Sequence, residues 1–123
     1  MHAPCAASTV PASDPQETWP VGLNADLHCH SVVSDGTLTP DELARRALGN
    51  GVQLWSLTDH DEVGGQAQAA QAARSIGLPF LTGVEVSVTF ADATVHIVGL
   101  GFDDTDTQLL QGLYATRLSL IHI

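Results

Sequence analysis

The sequence predicts an α/β fold. Three observations carry that expectation. Short Val-, Leu- and Thr-rich runs alternate with stretches of helical apolar periodicity, glycines close the periodic stretches, and the resulting order is β-α-β-α-β-β-α. With 123 residues, 44% of them hydrophobic, the chain has material for one domain and its core.

Each element has its own signal. Residues 1–22 carry Pro4, Pro11, Pro15 and Pro20 among Ala, Ser and Asp, show no periodicity and predict a flexible leader, with the domain over 23–123. Ala25 to Ser31 reads as a first strand. Thr39-Pro-Asp-Glu42 is a helix start: Thr39 can cap, Pro40 suits the first helical position and Glu42 completes a capping box. Leu43, Ala44, Ala47 and Leu48 form its apolar stripe, and Gly49-Asn50-Gly51 ends it. Val52 to Thr58 is a second strand. Gln66 to Ile76 is an alanine-rich helix with Ala69, Ala72, Ala73 and Ile76 on one side, closed by Gly77. Phe80 to Phe90 predicts a third strand, turned at Ala91-Asp92-Ala93 into a fourth over Thr94 to Gly101 as a hairpin-like pair.

A last helix opens at Asp103 to Asp106 and runs through Leu109, Leu110, Leu113 and Tyr114. It continues into Leu118-Ser-Leu-Ile-His-Ile123 without a stop signal. A complete β/α barrel takes about 250 residues, so the chain reads as a truncated piece.

Composition narrows the function. Four basic residues against fourteen acidic ones give a net charge of −10, which repels a phosphate backbone; non-specific nucleic-acid binding is not expected. No apolar run has the length of a membrane span, and Met1 to Val10 lacks a basic-then-apolar signal pattern, so neither membrane nor export is expected and the cytoplasm is the default. Cys5 and Cys29 make no disulfide framework and are expected unpaired, which fits a reducing compartment.

The chemistry gathers in a few segments. His28 and His30 are two apart, so on a strand they share a face and Cys29 points the other way, into packing. Asp35 lies in the turn Ser34-Asp-Gly-Thr37 just beyond. His60 lies in Thr58-Asp-His-Asp61 at the end of the second strand, Glu85 follows Gly83-Val84 of the third, and His96 lies in the fourth. In β/α folds the C-terminal strand edges gather at one face, where sites form. Imidazoles and carboxylates delivered there together predict a metal site. Mixed His and carboxylate donors suit Zn, Mn or Fe better than Ca or Mg, and no thiolate-rich set suggests a structural zinc. Such ions bring the pKa of bound water from about 15.7 to about 7 and stabilise both attacking and leaving oxygens of an in-line displacement. That chemistry is hydrolysis by a metal-activated hydroxide, with phosphate esters as the natural class.

Other residues carry less. Asp59 and Asp61 flank His60, and a role supporting the ligands from behind is weighed evenly against solvated turn residues. His2 and His122 read as incidental. Trp55 reads as core rather than a substrate stacker. Gly64-Gly65 at a helix start is a weak phosphate signal. Arg45, Arg46 and Arg74 read as solvated helix residues, so no phosphate clamp is named.

Asp26-Leu-His-Cys-His-Ser31, Ser34-Asp-Gly-Thr37, Thr58-Asp-His-Asp61, Gly83-Val-Glu85 and Val95-His-Ile-Val-Gly99 together resemble the PHP (polymerase and histidinol phosphatase) family across about residues 24–104. The branch most resembled is the bacterial one that hydrolyses 3′,5′-nucleoside bisphosphates, some members of which trim short RNA from the 5′ end. The resemblance implies the N-terminal portion of a distorted, TIM-like (β/α)7 barrel with three divalent ions. It implies that His28, His30 and Glu85 share one ion, that Glu85 bridges to a second also held by His96, and that Asp35 and His60 hold the third. Family members complete these shells with a later Asp and two later His that this chain lacks, so the chain alone is expected to be a poor or inactive catalyst. Two alternatives stand beside this reading: a phosphatase of histidinol-phosphate type, and a non-catalytic PHP module of a larger protein such as a polymerase.

Overall fold

Thr39 sets the first helix as its sequence dictates. In the computed structural model, which describes residues 22–121, its hydroxyl accepts from the Glu42 amide at 3.2 Å and the Glu42 carboxylate accepts from the Thr39 amide at 3.0 Å. This reciprocal box starts α1, Pro40–Gly49. Replacing Thr39 by alanine leaves the Glu42 amide without its side-chain acceptor and is expected to cost about 1 kcal/mol, read by chemical denaturation. The leader, Cys5, His2 and His122 lie outside the described residues.

The first two strands are shorter than the sequence suggests. β1 covers Ala25–Asp26 and β2 covers Leu54–Trp55, paired in parallel with Ala25 opposite Leu54. Beyond them the chains stay joined, but partly through side chains: the Thr58 amide donates to the Cys29 carbonyl at 2.9 Å, while the Cys29 amide donates to the Thr58 hydroxyl at 3.1 Å. Substituting a hydroxyl for a backbone acceptor ends the regular ladder while keeping the two segments side by side.

The second helix, α2, spans Gln66–Ser75, with Ile76 at its C-cap and Gly77 at φ +75° behind it. α1 and α2 bury Ala44, Ala47, Ala69 and Ala73 against Trp55 and Leu57. Small side chains let the helices lie close to the strands, and Trp55, wholly buried, fills the middle. Its indole N–H donates to Cys29 Sγ at 3.2 Å, and its ring meets Phe80 at 5.3 Å. Leu48, placed in the apolar stripe by spacing, is exposed. Arg45, Arg46 and Arg74 are exposed as expected.

β3 spans Gly83–Phe90 and β4 spans Ala93–Leu100, an antiparallel hairpin with Gly83 opposite Leu100 and Phe90 opposite Ala93. Ala91 and Asp92 both have positive φ, 51° and 65°, the backbone a two-residue hairpin turn requires. The third strand begins three residues later than expected, with Phe80 reduced to a single bridge to Trp55. That bridge and a second one, His60 to Glu85, join the hairpin to the β1–β2 pair in parallel. Gln66 reinforces the seam from α2, its buried side-chain amide donating to the Leu57 carbonyl at 2.8 Å and accepting from the Gly83 amide at 3.0 Å.

The last helix, α3, spans Thr107–Ile121, and Asp106 caps it by accepting from the Leu109 amide at 3.0 Å. It docks through Leu113, buried with Val63 and Val84, while Leu110 and Tyr114 are exposed. Among the described residues no helix is long and apolar enough to cross a membrane. The elements form a mixed α/β fold.

Candidate metal centre

Glu85 organises the cluster. Its carboxylate is buried, and Oε1 lies 2.6 Å from His28 Nε2 and 3.0 Å from His30 Nε2, so both histidines of the His-x-His pair do share a face. Its other oxygen, Oε2, lies 3.5 Å from His96 Nδ1. Asp35 stands on the opposite side, 3.5 Å from His30 Nδ1 and 3.2 Å from His60 Nε2. The His30 and His60 rings stack at 4.4 Å between centroids. All six residues singled out from the sequence therefore converge. They fall into three groups whose donor atoms lie within 4.8 Å of one another: His28-His30-Glu85, His30-Asp35-His60 and His60-Glu85-His96.

The route to this convergence differs from the strand-edge argument in two places. Glu85 is the third residue of β3 and His96 the fourth of β4, so neither sits at a strand's C-terminal end. Glu85 reaches the cluster because the parallel seam runs through it: its amide donates to the Asp59 carbonyl at 3.0 Å and its carbonyl accepts from the Asp61 amide at 3.0 Å. His96 arrives from the antiparallel return, directly opposite Ser87. Ser87 lies on the same strand face as Glu85, and its hydroxyl shares a 3.1 Å hydrogen bond with His96 Nδ1.

Asp59 and Asp61 are not solvated. Asp59 is fully buried, and its carboxylate accepts from the Ser31 amide, the Ser31 hydroxyl and the Ser34 hydroxyl, each at 2.7 Å. It thereby fastens the loop that carries Asp35 to the strand end that carries His60. Gly36 permits the tight turn of that loop, since a Cβ there would lie 2.0 Å from the His30 carbonyl oxygen. Asp61 is buried too, with its carboxylate accepting from the Ser87 amide at 2.9 Å. The sequence alone marks no role for the hydroxyls of Ser31, Ser34 and Ser87, although Ser31 abuts His30 and Ser87 alternates with Glu85. Gly65 packs at a helix start against Leu57 and Val33 rather than opening toward a ligand.

Burial pushes the Glu85 carboxyl up, but the hydrogen bond to His28 and the nearby His60, His28 and His30 outweigh it, and the group sits below the usual carboxylate range. A buried carboxylate among four imidazoles is a donor set suited to divalent cations. The fit has a further sign: His30 Nδ1 is buried without a hydrogen-bond partner, a cost that a bound cation would remove. Cys29, by contrast, is no ligand. Its thiol faces Trp55 and the Ser56 carbonyl, and burial pushes it up to about 11. At pH 8.5 Cys29 is expected to alkylate about 100-fold or more slowly in the folded chain than in urea, followed by mass mapping.

A PHP-domain family profile matches residues 26–118. The chain belongs to the PHP domain family. Among its relatives, a 3′,5′-nucleoside bisphosphate phosphatase of Chromobacterium violaceum is 54% identical over 94 residues, covering 76% of this chain and 33% of its own length. A 5′-3′ exoribonuclease of Haemophilus influenzae is 47% identical over 95 residues, covering 75% of this chain and 35% of its own. A solved structure of an amidohydrolase from Chromobacterium violaceum, with bound sulfate and no metal, matches with a TM-score of 0.77 and 52% identity over 80% of this chain and 35% of that one. The chain thus spans about a third of the length of these PHP relatives.

Proposed function

We propose that residues 23–123 form the N-terminal portion of a PHP barrel whose whole protein is a metal-dependent phosphoesterase, acting on small phosphate esters and above all on 3′,5′-nucleoside bisphosphates. Trimming short RNA from its 5′ end is the same chemistry on a longer substrate. In this reading His28, His30, Asp35, His60, Glu85 and His96 hold three divalent ions, of Mn, Zn or Fe, in a cytoplasmic enzyme. The observation that carries it is the Glu85 carboxylate, one oxygen facing His28 and His30 and the other facing His96.

Bound ions would supply activated water and offset the charge of a phosphate dianion. The chain's own residues do the rest. Glu85, kept ionised by its neighbours, offers one oxygen to each of two donor groups. Asp59 holds Asp35 opposite His60 through Ser31 and Ser34. Ser87 fixes the turn of the His96 ring. Without cations, Asp35 and Glu85 would repel an anionic substrate, so substrate and ions are expected to bind together.

The similarity to the bisphosphate phosphatase favours that substrate over histidinol phosphate. A full-length protein carrying this segment, loaded with Mn, is expected to release phosphate faster from a 3′,5′-nucleoside bisphosphate than from histidinol phosphate. Equal or faster turnover of histidinol phosphate would reverse the choice. No hydrolysis of either, with the metals bound, would leave a non-catalytic module.

A further inference from the structure

Arg117, alone among the four basic residues, reaches toward the cluster. Its Nη1 donates to the Asp61 carbonyl at 2.5 Å and lies 3.2 Å from Glu62 Oε1, while its guanidinium sits 5.6 Å from the centre of the Tyr114 ring one turn earlier on α3. An exposed ion pair with Glu62 would mean little by itself. The carbonyl contact means more, because of the residue it holds.

Asp61 is buried with φ at +49°, a left-handed backbone that strains most side-chain-bearing residues and Asp less than others. Its groups are held from three sides. The amide donates to the Glu85 carbonyl at 3.0 Å, the carboxylate accepts from the Ser87 amide at 2.9 Å, and the carbonyl accepts from Arg117. His60 precedes it directly, Glu85 is a member of two donor groups, and Ser87 holds His96. Only the Arg117 contact comes from outside the hairpin and its seam.

We propose that Arg117 is a positioning residue for the cluster, acting from α3 through the Asp61 carbonyl to set His60 against Glu85 and His96. It rests on the metal reading above. Arg117 donates to the loop, not to an ion, and its loss loosens the two donor groups that contain His60 while sparing His28-His30-Glu85.

The test compares the intact chain with Arg117→Met, Arg117→Lys and Leu113→Ala. Methionine keeps an apolar stem near Tyr114 and removes the donor, lysine restores a cationic donor, and Leu113→Ala weakens α3 docking without removing the Arg117 donor. Two quantities are read: Co²⁺ affinity and visible spectrum on titration, and hydrogen exchange of the Asp61 and Ser87 amides in the metal-free protein. Arg117→Met is expected to weaken the His60-dependent Co²⁺ binding about 10-fold, leave one ion's affinity unchanged, and speed exchange at both amides about 10-fold. Arg117→Lys should recover most of each, and Leu113→Ala should lower the melting temperature with affinity kept. Unchanged exchange and affinity in Arg117→Met overturn the proposal, as does an equal loss in Leu113→Ala, which would make α3 docking the cause. If the unaltered chain takes up no Co²⁺, the metal reading falls, and unchanged or faster amide exchange then decides whether Arg117 holds Asp61.

Discussion

Glu85→Ala is expected to weaken divalent-metal binding about 100-fold or more, because it removes a buried carboxylate that takes part in two of the three groups at once. Glu85→Gln should lose almost as much: the amide keeps the shape but not the charge, and its NH2 would face either an imidazole or a cation. The fold should survive. Glu85 is tied to its neighbours through its backbone, by the bonds to Asp59 and Asp61, and a side-chain change leaves those in place. Calorimetric titration with Zn²⁺ or Mn²⁺, beside thermal melts of the metal-free proteins, checks both halves. Retained affinity would remove Glu85 from the ligand set.

Gly83→Ala is expected to damage the fold severely at the seam between its two strand pairs. A Cβ at this position would lie 2.1 Å from Ser56 Oγ, 2.7 Å from Thr58 Cγ2 and 2.8 Å from the Leu57 carbonyl oxygen. Two of those atoms belong to short, buried side chains and one is backbone, so nothing nearby can swing aside. The seam between β2 and the hairpin must open, and with it the bond from the Gly83 amide to Gln66. Overpacking of this kind costs about 3 kcal/mol, which for a domain of this size is roughly 12–24 °C in melting temperature. Gly112→Ala in α3 is the matched comparison: a Cβ there meets nothing within 4 Å, and removing a helix-interior glycine should stabilise the chain by up to about 1 kcal/mol. A melt in which Gly83→Ala falls no further than Gly112→Ala would contradict the packing at the seam.

What the sequence disclosed follows how local each cause is. The capping box at Thr39, the stop at Gly77 and the shared face of His28 and His30 depend on neighbours in the chain, and all three stand in the structure. The extents of β1 and β2 depend on which partner supplies each hydrogen bond. No pattern in Ala25–Ser31 reveals that a threonine hydroxyl 29 residues away will take one of them. The aspartates beside His60 were undecidable for a related reason. Asp in a turn is usually solvated, and only the arrival of Ser31, Ser34 and Ser87 from other segments buries these two. Arg117 was invisible, because an arginine on a helix surface carries no mark of the carbonyl it will meet. The six donors are legible as a set since each stands in a distinct polar motif beside a strand-like run, yet Glu85 reaches the cluster through the parallel seam and His96 through hairpin register, not through strand ends.

Trp55 gives this molecule a built-in optical gauge. Its indole is sealed from water, donates to a thiol and lies at a tilt to Phe80, and the thiol and ring sit on the two segments that flank β2. Sulfur in contact with an excited indole drains its emission, so the native chain should fluoresce dimly and at short wavelength. The chain has two tryptophans, Trp19 and Trp55; with Trp19 changed to Phe, the tryptophan signal would come from one place, and brightening would track the parting of Cys29 from Trp55. Metal uptake at the far end of the same strands could then be followed by light, without a label and without a substrate.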